Sequence, residues 1–309
     1  MAEVGLVTFA QSAYQIASAS MPAYRSKYSK HVFTQPQLLA ILCLMRYDDW
    51  TFRQAEERLG EHRELRQALE LESVPDHTTL YRFLRRLDER TLQRILEATL
   101  QLLPPQSEAN GPTVAVDGTG LMPCAVSTFF VKRLKDHGSG YAWRHWVKWL
   151  VAVDVQTQMV LAQQARHGPY NDCANLRSLL DEAAHGRALA LVLADAEFDS
   201  ERNHRFIRQV HGAESIIPAK RGKPNWKIKG VRAQMRADFP AAAYAQRNLV
   251  ETVISVVKRK LSARAPGRSL TTQRSQALLL GVAYNIYRAL WRLLSETIRT
   301  ELDRHWQIV

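Results

Sequence analysis

Leu189-Ala190-Leu191-Val192-Leu193-Ala194, with Asp195 directly after it, is the stretch on which the fold turns. Six apolar residues without a polar break are too few for an ordinary helix. They suit a strand covered on both faces, as in a sheet with helices on each side. Working outward, Thr113–Asp117 (TVAVD) alternates, is rich in β-formers and also ends on an aspartate. Val147–Val155 (VKWLVAVDV) and Met159–Gln164 read as further strands, and Cys173–Ala184 as a helix. A helix over Ser200–Val210 and a short strand over Ser215–Pro218 come next. Helices over Tyr244–Ser262 and Gln273–Leu302 complete the pattern. The order is three strands, helix, strand, helix, strand, long helix.

That order is the one used by an RNase H-like α/β fold, a mixed sheet flanked by helices. Upstream the period changes to that of helices. Thr34-Gln35-Pro36-Gln37 combines an N-cap, a first-turn proline and a capping-box glutamine. Further starts stand at Thr51-Phe52-Arg53-Gln54, after Val74-Pro75-Asp76, and near Thr91. Residues 1–30 show no clear periodicity and are expected to have little order. Residues 104–112, PPQSEANGP, break the helical pattern with prolines, glycine and polar side chains. The expected organisation is a small all-helical domain over 1–103, a linker over 104–112 and an RNase H-like domain with C-terminal helices over 113–309.

The chain of 309 residues carries 42 Lys and Arg against 30 Asp and Glu, a formal net charge of +12. Such a balance points to a polyanionic partner, either nucleic acid or an anionic membrane surface. A hydrophobic content of 46% argues against disorder. Cys43, Cys124 and Cys173 show no CxxC spacing, so neither a cysteine zinc site nor a disulfide framework is indicated; buried thiols are expected. His77, His137 and His167 are scattered and suggest no zinc. No run of about 18 apolar residues is present, so a cytoplasmic protein without a membrane span is expected.

Three acids stand out by position. Asp117 and Asp195 each end a strand, and Glu251 lies near the start of a helix. Carboxylates at neighbouring strand ends can converge at one sheet edge, and a helix packed alongside can add a third. Such a cluster repels itself unless cations neutralise it, and hard oxygen ligands suit Mg²⁺ or Mn²⁺. Singly, each acid can equally be a strand-end cap or a surface charge. On the helix, Tyr244, Arg247, Glu251 and Lys258 fall near 0°, 300°, 340° and 320° at about 100° per residue. Four polar groups share one stripe, while Val250, Val253, Ile254, Val257 and Leu261 form an apolar stripe beside it. An i,i+4 pair between Arg247 and Glu251 accounts for two of the four.

Two long stretches lack acids. Ser215–Ala237 holds Lys220, Arg221, Lys223, Lys227, Lys229, Arg232 and Arg236, with Trp226 among them. Thr252–Ser295 holds Lys258, Arg259, Lys260, Arg264 and further arginines. Flanking the helix of Glu251, they read as phosphate-binding surface. In Trp143-Arg144-His145-Trp146-Val147-Lys148-Trp149 aromatics alternate with cations. Lys148 and His145 are expected to face DNA, and Trp149 the core. Arg82, Arg85 and Arg86 on one helix can enter a groove. Asn171-Asp172 reads as the N-cap of the helix that begins at Cys173.

Tyr244-x2-Arg247-x3-Glu251-x6-Lys258 resembles the YREK signature of bacterial insertion-sequence DDE transposases, in the supergroup numbered four and five. VAVDGTGL around Asp117 and LADAEFDSERNH around Asp195 are similar to that family's two aspartate segments, and VPDHTTLYRFLRRL to its helical region ahead of the catalytic domain. Many members carry Gly-Tyr after the second aspartate, where this chain has Ala196, Glu197 and Phe198. The resemblance implies metal-dependent cleavage and strand transfer at the ends of an insertion sequence. Asp117, Asp195 and Glu251 would bind two Mg²⁺ or Mn²⁺ ions. Tyr244, Arg247 and Lys258 would contact DNA phosphate, and Lys148, Lys220, Arg221, Lys223, Arg259 and Lys260 would extend that surface. It also implies double-stranded DNA partners (terminal inverted repeats and target DNA), a homodimer in the active complex and a nucleoid-associated location. A nuclease of the same fold that does not join strands, and a transposase-derived DNA-binding regulator, stay open as alternatives.

Overall fold

The computed structural model describes residues 3–28, 30–104, 111–123, 146–168, 172–220 and 228–306. The chain divides into two compact units: Met1–Pro105 with Lys260–Ser262 and Leu279–Val309, and Gln106–Arg259 with Ala263–Leu278. Residues 105–110 of the expected linker lie outside the described residues.

The first unit is helical. Its helices span Leu6–Ser20, Gln35–Tyr47, Phe52–Glu61, Arg63–Ala68, His77–Leu84 and Glu89–Thr99. Thr34 and Thr51 each close a full capping box, with Gln37 and Gln54. Asp76 and Asp88 cap the two helices after them. The expectation of little order over residues 1–30 is corrected: Leu6–Ser20 is a helix that buries Phe9, Ala10, Ala13, Ile16 and Ala17. Phe9 stacks on Tyr47 at 4.1 Å, and the Tyr47 hydroxyl donates to the Val4 carbonyl. The expected second domain takes in everything after residue 112. In the structure the later part of the long helix Leu270–Trp306 belongs to the helical unit. It buries Leu279, Leu280, Val282, Ala283, Tyr284 and Ile286, and Asn285 Nδ2 donates to Thr99 Oγ1 at 2.9 Å.

The second unit is built on five strands: β1 Thr113–Leu121, β2 Val147–Asp154, β3 Val160–His167, β4 Leu191–Ala194 and β5 Glu214–Ile216. Their order is β3-β2-β1-β4-β5. β1 pairs antiparallel to β2 and β2 to β3, while β4 lies parallel to β1 and β5 parallel to β4. The helix Leu176–Ala183 packs on β3 and β2, and the helix Asn248–Val256 on β1 and β2. Central residues Val114, Val116, Leu150, Val151, Val192 and Leu193 are buried, as strands covered on both faces require. This is an RNase H-like mixed sheet flanked by helices, with a helical region ahead of it.

One feature of the register positions the site. β4 pairs with β1 only as far as Val116↔Ala194. β1 runs on through Asp117, Gly118, Thr119, Gly120 and Leu121, paired on its other side with β2. Beyond Val116 and Ala194 the sheet therefore has a notch. Asp117 stands at its start on β1, and Asp195 leaves β4 at the same level.

Candidate catalytic cleft

The notch opens into a cleft of about 480 Å³ lined by Asp117–Met122, Trp146, Lys148, Asp172, Asp195 and Glu197. Successive side chains of β1 point to opposite faces of the sheet. Asp117 meets groups carried by the helical segment around Arg247, while Gly118 meets Asp172, just ahead of the helix Leu176–Ala183. At the notch both faces reach one space.

The segment Ala241–Leu261 is helical throughout but not uniformly α. Ala241–Tyr244 is α, Ala245–Arg247 a 3₁₀ turn, Asn248–Val256 α and Val257–Leu261 a π turn. The even 100° spacing expected from the sequence is therefore tightened before the α segment and loosened after it. The apolar stripe is still buried: Val250, Val253, Ile254, Val257 and Leu261 are core residues.

Arg247 is the hub. Its Nη2 lies 3.2 Å from Asp117 Oδ2 and 3.8 Å from Asp195 Oδ2, and its Nη1 lies 2.5 Å from Glu251 Oε1. One guanidinium, 12% exposed, thus serves three carboxylates contributed by a strand, a strand end and a helix. Burial pushes the Asp117 carboxyl up to about 6, against the pull of Arg247 and the Gly118 N–H and with the push of Asp195 and Glu251. Burial raises the Tyr244 phenol; Arg247 opposes the rise, and Asp195, Glu251 and Asp117 add to it. Burial lowers the Lys258 ammonium against the opposing charge of Asp117. Asp117 and Tyr244 thus each feel Arg247 and the other acids of the site, and Lys258 feels Asp117.

Oxygen donors of this type suit a hard divalent cation, and three carboxylates against one guanidinium leave negative charge to neutralise. Among the described residues no three His, Cys, Asp or Glu side chains are gathered closely enough to hold one ion as they stand. Arg247 stands between them. The donor set fits a divalent metal on charge and chemistry, provided the guanidinium turns out of the centre.

Other expected residues fare differently. Lys148 lines the cleft, and its Nζ lies 2.5 Å from Asp172 Oδ2. Trp149 is fully buried and donates to Gln163 Oε1 at 2.9 Å, so it is a core residue. Lys220 is half-buried, and its backbone N–H donates to Asp199 Oδ2 at 2.8 Å. Arg259 is exposed, and Lys260 Nζ lies 2.5 Å from Glu3. Arg221, Lys223, Trp226, Lys227, Trp143, Arg144, His145, His137 and Cys124 lie outside the described residues. Arg232 is a correction to the phosphate-binding surface. It is buried, and its Nε and Nη2 form a fork onto Asp199 Oδ1 and Oδ2 at 2.7 and 2.6 Å. Asp172 is a second correction. Its side chain caps no helix; it is buried against Lys148. Asp172 and Glu197 are the cleft acids that sequence reasoning missed; the partner of Asp172, Lys148, comes from a distant strand.

No curated protein matches the chain. A cryo-EM structure of a piggyBac transposase synaptic complex with hairpin DNA aligns with a TM-score of 0.48 and 10% identity, over 94% of this chain and 73% of that one. A family described as Transposase domain (DUF772) matches residues 13–86. Among the described residues no helix is long and apolar enough to cross a membrane. A family described as Transposase DDE domain matches residues 108–286, more than half of the chain and the whole span that carries Asp117, Asp195 and Glu251. DDE transposases depend on divalent metal, and this chain belongs to their family: it is a DNA transposase.

Proposed function

We propose that the chain cleaves and joins DNA at the ends of an insertion sequence, with Asp117, Asp195 and Glu251 as its metal-binding triad. The observation that carries this reading is the convergence of those three acids on Arg247. Two bound Mg²⁺ or Mn²⁺ ions would activate an attacking oxygen and neutralise the leaving oxygen of a phosphodiester. The chain's own contribution is placement. Asp117 and Glu251 approach from the strand and helix sides, and Asp195 closes the notch. Arg247, released from the acids, forks onto a phosphate; Lys258 adds a point charge and Tyr244 a hydroxyl donor. Tyr244, Arg247, Glu251 and Lys258 of the helical segment would be the YREK set, and their residue types and spacing support the assignment to the supergroup numbered four and five.

DNA is the partner that the net charge calls for. The helical unit offers a groove lined by Arg25, Lys30, Arg82 and Arg86, with Tyr24 and Tyr28 among them, which suits a phosphate backbone. Two DNA ends must be joined, so the active complex is a homodimer, acting in the cytoplasm on nucleoid DNA.

Glu251→Gln and Asp195→Ala test the reading. Each is expected to lose Mg²⁺-dependent cleavage by more than about a hundredfold, beyond what loss of a metal's outer partner costs. Both should still bind duplex DNA carrying the inverted repeats that flank this reading frame. Full cleavage by either variant removes the triad. A pre-cleaved end that wild type fails to join to a second duplex removes strand transfer and leaves a nuclease.

A further inference from the structure

We infer that Lys148 is a phosphate-binding residue of the cleft and that buried Asp172 is its positioning residue. The pair would seat the DNA strand from the side of the sheet opposite Arg247 and Lys258. The inference rests on the proposed catalytic reading and adds to it a residue pair from the other face.

Asp172 is 3% exposed, although it precedes a surface helix. Its Oδ2 lies 2.5 Å from Lys148 Nζ, whose side chain is 16% exposed. Its Oδ1 is buried and has no hydrogen-bond partner among the described residues. A buried ion pair is a poor stabilising device, because the cost of removing two charges from water offsets much of their attraction. Leaving one carboxylate oxygen unsatisfied adds to that cost. The arrangement therefore calls for a role beyond stability.

Its location supplies one. Lys148 and Asp172 line the same cleft as Asp117, Asp195 and Glu197. Strand β1 is adapted to them. Lys148 is the register partner of Gly120 on β2. A Cβ at Gly118 would stand 2.9 Å from Asp172 Oδ2 and 3.3 Å from Lys148 Cε. A Cβ at Gly120 would stand 3.2 Å from the Trp146 ring, which lines the cleft next to Lys148. The glycines after Asp117 thus give up side chains so that a lysine, an aspartate and a tryptophan fit at the floor.

The chemistry follows from the charges. A phosphate entering a space lined by Asp117, Asp195 and Glu197 is repelled unless cations meet it. The helical segment supplies Arg247 and Lys258 on one side, and Lys148 supplies a cation on the other. An ammonium has three donors, so holding Asp172 and meeting a phosphate oxygen are compatible. A flexible lysine pays for ordering in side-chain entropy; Asp172 orders it before DNA arrives.

Four variants test this on DNA carrying the flanking inverted repeats: Lys148→Met, Asp172→Asn, their double combination and Glu251→Gln as control. Affinity is read against salt in Ca²⁺, cleavage in Mg²⁺, and folding by thermal melting. Lys148→Met should reduce the slope of log affinity against log salt by about one. Asp172→Asn should keep that slope, because the lysine charge stays, yet slow cleavage roughly 10- to 100-fold at saturating DNA. The double variant, neutral in both partners, should melt like wild type and still cleave slowly. An unchanged slope in Lys148→Met overturns the phosphate contact. A double variant that regains both wild-type melting and wild-type cleavage makes the pair structural only. Retained cleavage in Glu251→Gln instead sinks the triad, while the Lys148→Met slope still decides the present inference.

Discussion

Two arginines of the second unit face carboxylates in opposite ways. Arg232 meets one acid, Asp199, through two parallel hydrogen bonds, and Asp199 also accepts the Lys220 N–H. Burial raises the Asp199 carboxyl, but Arg232 and the Lys220 N–H outweigh it and hold the group below the usual range. Anion and cation match one to one. Arg247 meets three acids at once, and one of them, Asp117, is pushed up to about 6. Here one positive charge serves three negative ones. A pair whose carboxylate oxygens are all met closes on itself and holds structure, whereas an unmatched cluster needs an outside cation. Stoichiometry, not residue type, separates the structural arginine from the functional one.

The comparison breaks most readily at the closed pair. Arg232→Met leaves Asp199 buried without its cation, and loss of one partner of a buried pair costs about 3–5 kcal/mol. The expected outcome is a large fall in thermal midpoint that added Mg²⁺ does not repair. A midpoint within a degree of wild type would show that the pair is not closed at all.

The open cluster should respond in the opposite sense. Arg247→Met removes the guanidinium that the three acids share, yet they sit at a cleft and keep some contact with water. Its midpoint in chelator should fall by less than that of Arg232→Met. Mg²⁺ should then restore it, since a ligand at roughly 100 times its Kd contributes about 2.7 kcal/mol to the state that binds it. Because the guanidinium no longer competes for the acids, the rise on adding Mg²⁺ should exceed that of wild type. Equal rises in the two proteins would mean that Arg247 does not hold the metal positions.

What the sequence disclosed follows the same division. The buried run before Asp195, the alternation before Asp117 and the stripe around Glu251 are local patterns, and each puts its acid on the right strand or helix, although Asp117 does not end its strand. The extension of β1 past Asp117 was hidden, because Gly118 and Gly120 carry no side chain to continue the alternation. The helix Leu6–Ser20 was hidden because alanines make much of its buried face. Arg232 looked like one more cation in a basic run, since Asp199 lies 33 residues away. Asp172 looked like a helix cap for the same reason: nothing near it in sequence announces Lys148. Periodicity reports burial, but charge pairing across the sheet does not repeat and leaves no local trace.

The smallest effect tests whether the region beside the closed pair refuses charge. His204 is fully buried, its Nδ1 lies 2.8 Å from Ser215 Oγ, and its Nε2 has no hydrogen-bond partner among the described residues. Burial holds the imidazole down to about 4; Arg208 and Arg232 push it the same way, and Asp199 and Glu201 oppose them. In the unfolded chain the same imidazole takes its proton near 6.5. Between about pH 6.5 and 4 the unfolded state therefore binds a proton that the folded state rejects. Stability falls as pH falls through that window, by at most about 1.4 kcal/mol per pH unit for one proton. Above the window the term is fully present and flat. His204→Gln removes the titrating group, so its unfolding free energy should fall less steeply than that of wild type from pH 6.5 to 4 and run parallel to it above pH 7. Parallel curves throughout would mean that His204 protonates freely in the fold, and that the pair beside it has charge to spare.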